Sequence, residues 1–190
     1  MLSKMLLYNN FPIMISMYNK KPIFRKPTIV FDLDNTLISS VKVKNYNQYN
    51  NMNIRTCDYT TNIPNRSDDE QYNVWKRPYS SIALYFLSKV ANIYIYTAAT
   101  EDYAKDIITN IYPDFKPKYI YNRDHWISYN KTKDLSIVCN RTDDIILVDD
   151  KLSNNVKSQR FYHIPQYHYH NKSDMEMLRL VVWMYFKFIL

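Results

Sequence analysis

The stretch Thr28-Ile-Val-Phe-Asp-Leu-Asp-Asn-Thr-Leu37 holds two patterns at once. From Thr28 to Leu33 it is an almost continuous, β-branched apolar run, as a strand buried on both faces requires. Asp32 and Asp34 interrupt its end, where a core strand has no use for charge. The same alternation of apolar strand and amphipathic segment continues along the chain. Asn92 to Thr97 and Asp144 to Asp149 read as further strands, as do Lys118 to Tyr121 and Phe161 to Ile164. Between them, a helix is expected from Pro78 with Ile82, Phe86, Leu87 and Val90 on its buried face. A second is expected from the cap Thr100, with Glu101 and Asp102 in the dipole-favoured first turn and Ala104, Ile107, Ile108 and Ile111 buried; Pro113 ends it. Ser173-Asp-Met-Glu176 has the S-x-x-E capping-box pattern ahead of a terminal apolar helix. Strands alternating with helices predict an α/β fold, a Rossmann-like central parallel sheet of about five strands flanked by helices. A polar segment, roughly Lys42 to Asn73, is too long for an ordinary loop and reads either as a small inserted subdomain after the first strand or as a partly disordered stretch.

The 190 residues include no glycine, 46% are hydrophobic, and the net charge is +7. This length and apolar content predict one packed domain. Without glycine, neither a Walker loop nor a dinucleotide-binding fingerprint can be built. The chain is rich in Asn, Ile, Lys and Tyr, the signature of an AT-rich genome such as that of a large DNA virus or a protist. Its lysines are spread evenly, so part of the positive charge is compositional and nucleic acid is not the expected partner. Two distant cysteines, Cys57 and Cys139, suit neither a disulfide framework nor a zinc site, and fit a reducing intracellular compartment, cytoplasm or nucleus. No secretory signal is expected in Met1 to Met17, and the tail from Met175 is too short and too charged for a membrane span.

Ligands of open parallel sheets bind beyond the carboxyl ends of the strands. Three strand ends carry polar residues there: Asp32 and Asp34, Thr97, and Asp149-Asp150. Four carboxylates at one edge repel one another unless a cation joins them, and hard oxygen donors suit Mg²⁺. Lys133 is a candidate fixed positive charge. In such a site Asp32 can attack phosphorus as a nucleophile, and Asp34 can protonate the leaving oxygen and then activate water. Thr97 and Lys133 can hold the transferred phosphoryl group.

These residues resemble a known family. Phe31-Asp-Leu-Asp-Asn-Thr-Leu37 looks like the DxDxT motif of haloacid-dehalogenase (HAD) phosphatases. Ile38-Ser-Ser40, Lys76-Arg-Pro78, Tyr96-Thr-Ala-Ala99 with Tyr103-Ala104, Arg123-Asp124, Lys133-Asp-Leu-Ser136 and Ile146-Leu-Val-Asp-Asp150 look like the successive motifs of its FCP/SCP branch, the NLI-interacting-factor-like phosphatases. The resemblance implies a HAD-like domain over 28–190, with the insertion at about 42–73, behind a lead-in at 1–27. It implies Asp32 as nucleophile, Asp34 as acid/base, and Mg²⁺ held by Asp32, the Asp34 carbonyl and Asp150. It places Thr97 and Lys133 on the phosphoryl group, with Asp149, Thr36, Asn35 and Arg77 in phosphate or supporting positions. It also implies a phosphoprotein or phosphopeptide substrate phosphorylated on Ser or Thr, such as the C-terminal domain of RNA polymerase II. The sequence departs from many relatives at Asp149-Asp-Lys-Leu152, where they have Asn-Ser-Pro after the first Asp.

Blander readings exist for each element. Asp32 and Asp34 suit a turn after a strand, and Thr97 a simple cap, but a turn explains neither Lys133 nor the pair Asp149-Asp150. His125, His163, His168 and His170 lack the partners of a zinc site. Tyr46, Tyr49, Tyr59 and Tyr72 offer an aromatic platform for a Pro-containing peptide, or are chance placements among 19 Tyr. The run Lys20-Lys21 to Arg25-Lys26 reads as a solvated lead-in. Trp183, Phe186 and Phe188 leave monomer and homodimer both open. Two other functions compete: a phosphatase-like scaffold or binding protein, and a nucleotide or polynucleotide phosphatase. In place of glycine, Asn35 is the residue of the turn after Asp32 best able to take a left-handed conformation.

Overall fold

The structure, a computed structural model, describes residues 26–43, 56–61, 71–139, 144–157 and 159–189. The basic run before Lys26, Tyr46 and Tyr49, and most of the polar segment lie outside them. The principal sheet contains β1 (Thr28–Phe31), β5 (Asn92–Tyr96), β6 (Ile120–Tyr121), β7 (Ile145–Asp149) and β8 (Arg160–His163). Its order is β6-β5-β1-β7-β8 and every pairing is parallel. Phe31 pairs with Ile95 on one side and Val148 on the other, so β1, β5 and β7 end at one level. The chain runs outward from β1 through β5 to β6 and then returns to β7 on the opposite flank. This places β1 at the reversal of strand order, where such sheets open a crevice.

Alternation along the central strands serves two unequal layers. Ile29, Phe31, Ile93, Ile95, Ile146 and Val148 face one core with α1 (Ser80–Val90), α2 (Glu101–Ile111) and α4 (Glu176–Met184). Val30, Tyr96, Ile145 and Leu147 face a smaller cluster with Leu135, lined by Trp126 of α3 (Arg123–Ser128). In α2, Ala104, Ile107, Ile108 and Ile111 are buried as the sequence predicts, and Thr100 stands at the N-cap, though its side chain makes no capping bond. In α1 the buried face is Ala83, Leu84 and Leu87; Ile82 is 52% exposed, and Phe86 and Val90 are half-buried. The expected face is therefore corrected: Leu87 is kept, and Ala83 and Leu84 stand in the core in place of Ile82. No helix among the described residues is long and apolar enough to cross a membrane.

The stretch read as an insertion contributes to a second sheet. β2 (Ile38–Lys42), β4 (Tyr72–Lys76) and β3 (Tyr59–Thr60) form an antiparallel sheet in the order β2-β4-β3. Ile38, Val74 and Trp75 are fully buried, so the strands earn their place by apolar contact despite the polar residues around them. Tyr59 donates to Asp106 of α2 at 2.9 Å, tying the small sheet to the large domain.

Glycine-free turns are built from other residues at positive φ: Asn35 (63°), Tyr79 (62°), Asn130 (55°) and Lys131 (60°). Asn35 therefore takes the left-handed conformation expected of it. Its N–H donates to Ile38 O at 2.7 Å and its carbonyl accepts from Tyr167 N at 2.7 Å, so the turn after β1 is pinned from both sides.

A buried ion pair anchors the terminal helix. Arg77 Nε and Nη2 donate to the Asp174 carboxylate, both at 2.9 Å, while Nη1 reaches Thr36 O at 3.0 Å and Nη2 also reaches Pro165 O at 2.8 Å. The capping box expected at Ser173 does not form: helix α4 begins at Glu176 after Met175, and Asp174 accepts from Glu176 N at 3.1 Å. Asp174 is committed to Arg77, which draws the chain into a geometry the Ser173 cap could not share. Removing one partner strands a buried charge, so Arg77→Met is expected to lower the unfolding free energy by about 3–5 kcal/mol, read by urea titration. The double variant Arg77→Met/Asp174→Leu should recover part of that loss. Conversely, Lys131 is exposed and keeps its backbone bond to Trp126 O, so Lys131→Gly should relieve the left-handed cost and raise stability by about 0.5–1 kcal/mol in the same assay.

Candidate active site

The three strand ends meet around one buried ammonium. Lys133, fully buried, enters from the loop before the short 3₁₀ turn Leu135–Ile137. Its Nζ donates to Asp32 Oδ1 at 2.5 Å, just past β1, and to Asp149 Oδ2 at 2.6 Å, at the end of β7. The ring of Tyr96, last residue of β5, lies beneath it at 6.0 Å. The loop is held so that it can deliver the lysine: Lys133 N donates to Asn154 O, and Gln159 bridges Lys133 O and Leu135 N. Burial alone would depress the lysine pKa. The charges of Asp32 and Asp149 outweigh it and hold the ammonium above its ordinary value.

Asp149 is saturated. Besides Lys133, its oxygens accept from Lys151 N at 2.7 Å and from Asn154 Nδ2 at 3.0 Å on each oxygen. It therefore orients Lys133 and has little left to offer a metal. Asp150 is less engaged: Thr36 Oγ1 donates to its Oδ1 at 3.5 Å, and its carbonyl accepts from His163 Nε2 at 2.9 Å. Carboxylate oxygens of Asp32, Asp149 and Asp150 fall within 4.8 Å of one another. With one ammonium among them, anionic charge is in excess. Burial pushes Asp32 up to about 7, with Asp149 and Asp34 adding to the rise against Lys133. Burial and then Asp149 raise Asp150 as well. Two elevated carboxylates with free oxygen donors are what a hard divalent cation would relieve, and Asp32 and Asp150 fit that role.

Asp34 lies apart from this cluster. Its Oδ1 accepts from Tyr103 OH at 2.9 Å and from Ser40 Oγ at 3.1 Å. Burial raises its pKa, opposed by these two donors. Tyr103 is itself buried, and burial together with the Asp34 charge raises its hydroxyl well above the usual tyrosine value. Thr97 is buried at the end of β5 and its Oγ1 accepts from Ala99 N at 3.0 Å, which leaves the hydroxyl hydrogen available at the strand-end edge.

The structure thus gathers Asp32, Lys133, Asp149, Asp150, Thr36 and Thr97 at one edge, with Asp34 beside them and Asn35 shaping the turn. Of the two positions expected for Arg77, phosphate or support, its contacts fit support. Its guanidinium is 1% exposed and its Nε, Nη1 and Nη2 are all engaged, so it supports the site by holding the Thr36 carbonyl and does not offer itself to phosphate. Asn154 and Gln159 carried no role in the sequence reading, and Ser40 and Tyr103 appeared there only inside motifs. Asn154 and Gln159 are ordinary surface-type residues in a polar loop, and nothing in their spacing announces them.

Comparison with known proteins bears on the fold and the family. The fission yeast RNA polymerase II CTD phosphatase Fcp1 bound to beryllium fluoride superposes with a TM-score of 0.63 at 18% identity, over 75% of this chain and 42% of that one. A second structure of Fcp1, described as an essential RNA polymerase II CTD phosphatase, gives 0.62 at 15% identity, over 92% and 52%. The chain therefore spans about half the length of these structures, and the likeness at such identity is one of fold, the HAD-like α/β fold. A search of curated protein sequences returns no match. The model of the NLI interacting factor-like phosphatases matches residues 27–186, which takes in both sheets and every strand end of the site. With that match spanning the Asp32, Lys133 and Asp149-Asp150 elements, the chain belongs to the NLI interacting factor-like phosphatase family.

Proposed function

We propose that this protein is a Mg²⁺-dependent phosphatase that works through an aspartyl-phosphate and acts on phosphoserine or phosphothreonine in proteins. The observation that carries it is the buried Lys133, bonded at once to Asp32 and Asp149. A purely structural ion pair would not leave Asp150 and Asp34 as further carboxylates at the same edge.

Asp32 attacks phosphorus; the P–O bond to the leaving group breaks as Asp34 gives that oxygen its proton. Water then attacks the phosphorus of the aspartyl-phosphate, its proton passes to Asp34, and the bond to the Asp32 oxygen breaks. Lys133 neutralises the equatorial oxygens, and Thr97 has a hydroxyl hydrogen to donate to one of them. Mg²⁺, held by Asp32 and Asp150, would supply charge neutralisation for the phosphoryl group. Family membership supports phosphatase chemistry. The protein substrate is supported by the resemblance to the CTD phosphatases and by the net charge of +7, which favours acidic phosphopeptides. The same reading places the protein inside the cell.

Asp32→Asn is expected to remove Mg²⁺-dependent hydrolysis of an aryl phosphate by at least about 10³-fold. Chelation should silence the wild type and added Mg²⁺ restore it, while Asp150→Asn should raise the Mg²⁺ concentration for half-activity by more than about tenfold. Retained activity in Asp32→Asn would refute the nucleophile.

Substrate class is read by a panel of phosphoserine, phosphothreonine and phosphotyrosine peptides beside 3′-phosphorylated oligonucleotides. Preference for the first two is expected. Selective 3′-phosphate removal would transfer the activity to nucleic-acid ends, and peptide binding without turnover would make the protein a scaffold.

A further inference from the structure

Asp34 receives both of its hydrogen bonds on the same oxygen. Tyr103 OH, from the first turn of α2, and Ser40 Oγ, from β2, each donate to Oδ1, at 2.9 and 3.1 Å. Among the described residues no hydrogen bond reaches Oδ2, and Asp34 is only partly buried while Tyr103 is 7% exposed. A carboxyl oxygen that accepts two hydroxyl protons has no room for a third proton. When Asp34 is protonated, the proton must therefore sit on Oδ2. The ring of Tyr103 is itself placed by Tyr72 of β4, edge-on at 5.8 Å and 71°. Two of the three strands of the small antiparallel sheet thus contribute to this arrangement, Ser40 directly and Tyr72 through the ring it orients.

We infer that Tyr103 and Ser40 are positioning residues that lock the Asp34 carboxyl in one orientation and reserve Oδ2 as its proton-carrying oxygen. This inference rests on the phosphatase reading above, with Asp34 as the acid/base. In the first step the Oδ2–H bond breaks, its proton joins the leaving oxygen as the P–O bond to that oxygen breaks, and Asp34 is left as a carboxylate. In the second step the same Oδ2 takes the proton of the attacking water. Between the steps the two donors on Oδ1 hold the anion still, so one oxygen serves both transfers. Without them the carboxyl can rotate about χ2 and present either oxygen, or carry its proton away from the leaving group.

A general acid matters most when the leaving group is a poor one. The value of kcat/KM reports the steps through formation of the phosphoenzyme, so its dependence on the leaving group isolates the first transfer. The test measures kcat/KM for a nitrophenyl phosphate, for phenyl phosphate, whose leaving group has a pKa of about 10, and for a phosphoserine peptide. In the wild type the dependence should be shallow. In Tyr103→Phe, which keeps the ring against Tyr72, the loss should grow along the series and reach roughly 10-fold or more beyond the loss on the nitrophenyl ester. Ser40→Ala should steepen the series in the same sense, and it carries the test alone if Tyr103→Phe does not fold. Equal losses on all three substrates would overturn the inference, since damaged folding or metal binding lowers every substrate together. A wild type that hydrolyses none of the three would overturn the phosphatase reading and this inference with it; an active wild type with parallel variants overturns the inference alone.

Discussion

The ammonium of Lys133 is the constraint on which the rest of the structure depends. It is fully buried, and a buried charge without partners costs several kcal/mol even after relaxation. Its partners lie on different strands: Asp32 follows β1 and Asp149 ends β7. The pairing of Phe31 with Val148 brings the two carboxylates to the same level, and Asp32 N completes the register by donating to Val148 O at 2.9 Å. A shift of either strand by one residue would move one aspartate to the opposite face of the sheet and leave the lysine half-paired. The sheet register and the site geometry are therefore a single requirement.

That requirement also explains which parts of the fold were legible in the sequence. β1, β5 and β7 are short apolar runs ending in polar residues, a pattern that only a buried strand feeding a site produces, and all three form where expected. Helix α2 was legible because its charges obey the dipole and its isoleucines share one face. Helix α1 was legible as a helix but its buried face was only partly so, since Ile82, Phe86, Leu84 and Leu87 give overlapping apolar stripes and tertiary packing selects the one with Ala83, Leu84 and Leu87. The capping pattern at Ser173 failed for a nonlocal reason: Asp174 is claimed by Arg77, 97 residues away in sequence. The small antiparallel sheet was hidden by composition, because Ile38-Ser-Ser-Val-Lys42 and Tyr72-Asn-Val-Trp-Lys76 look like the polar sequence around them until they pair.

In the site, residues that do chemistry were more legible than residues that hold them. Asp32, Asp34 and Asp149-Asp150 stand out because charge at the end of a core strand is costly and so calls for a reason. Asn154, Gln159 and Ser40 are polar residues in polar surroundings, and their meaning lies wholly in what they touch. Arg77 shows the reverse: an arginine inside a phosphatase motif invites a phosphate contact, yet its buried fork satisfies a carboxylate and two carbonyls. The absence of glycine removes the Gly-rich phosphate loops, which leaves Lys133, side-chain hydroxyls and the backbone N–H groups of non-glycine turns to hold phosphate, and Asn35 takes the left-handed conformation in the turn after β1.

Charge on two scales then points in opposite directions. The whole chain carries +7, but its site gathers the carboxylates of Asp32, Asp149 and Asp150 about a single buried lysine, with Asp34 nearby, and the phosphate group of a phosphatase substrate is anionic as well. A net positive surface can raise the local concentration of an acidic peptide, yet it falls off over a Debye length of about 10 Å at moderate salt and cannot offset like charges within 4.8 Å of one another. Burial is the main reason Asp32 is pushed up to about 7, with the charges of Asp149 and Asp34 adding to the rise against Lys133. A nucleophile protonated near neutrality would be a poor one. Positive charge at the Asp32 and Asp150 oxygens would favour the ionised nucleophile, so the electrostatics of the strand ends and the proposed use of a divalent cation point the same way.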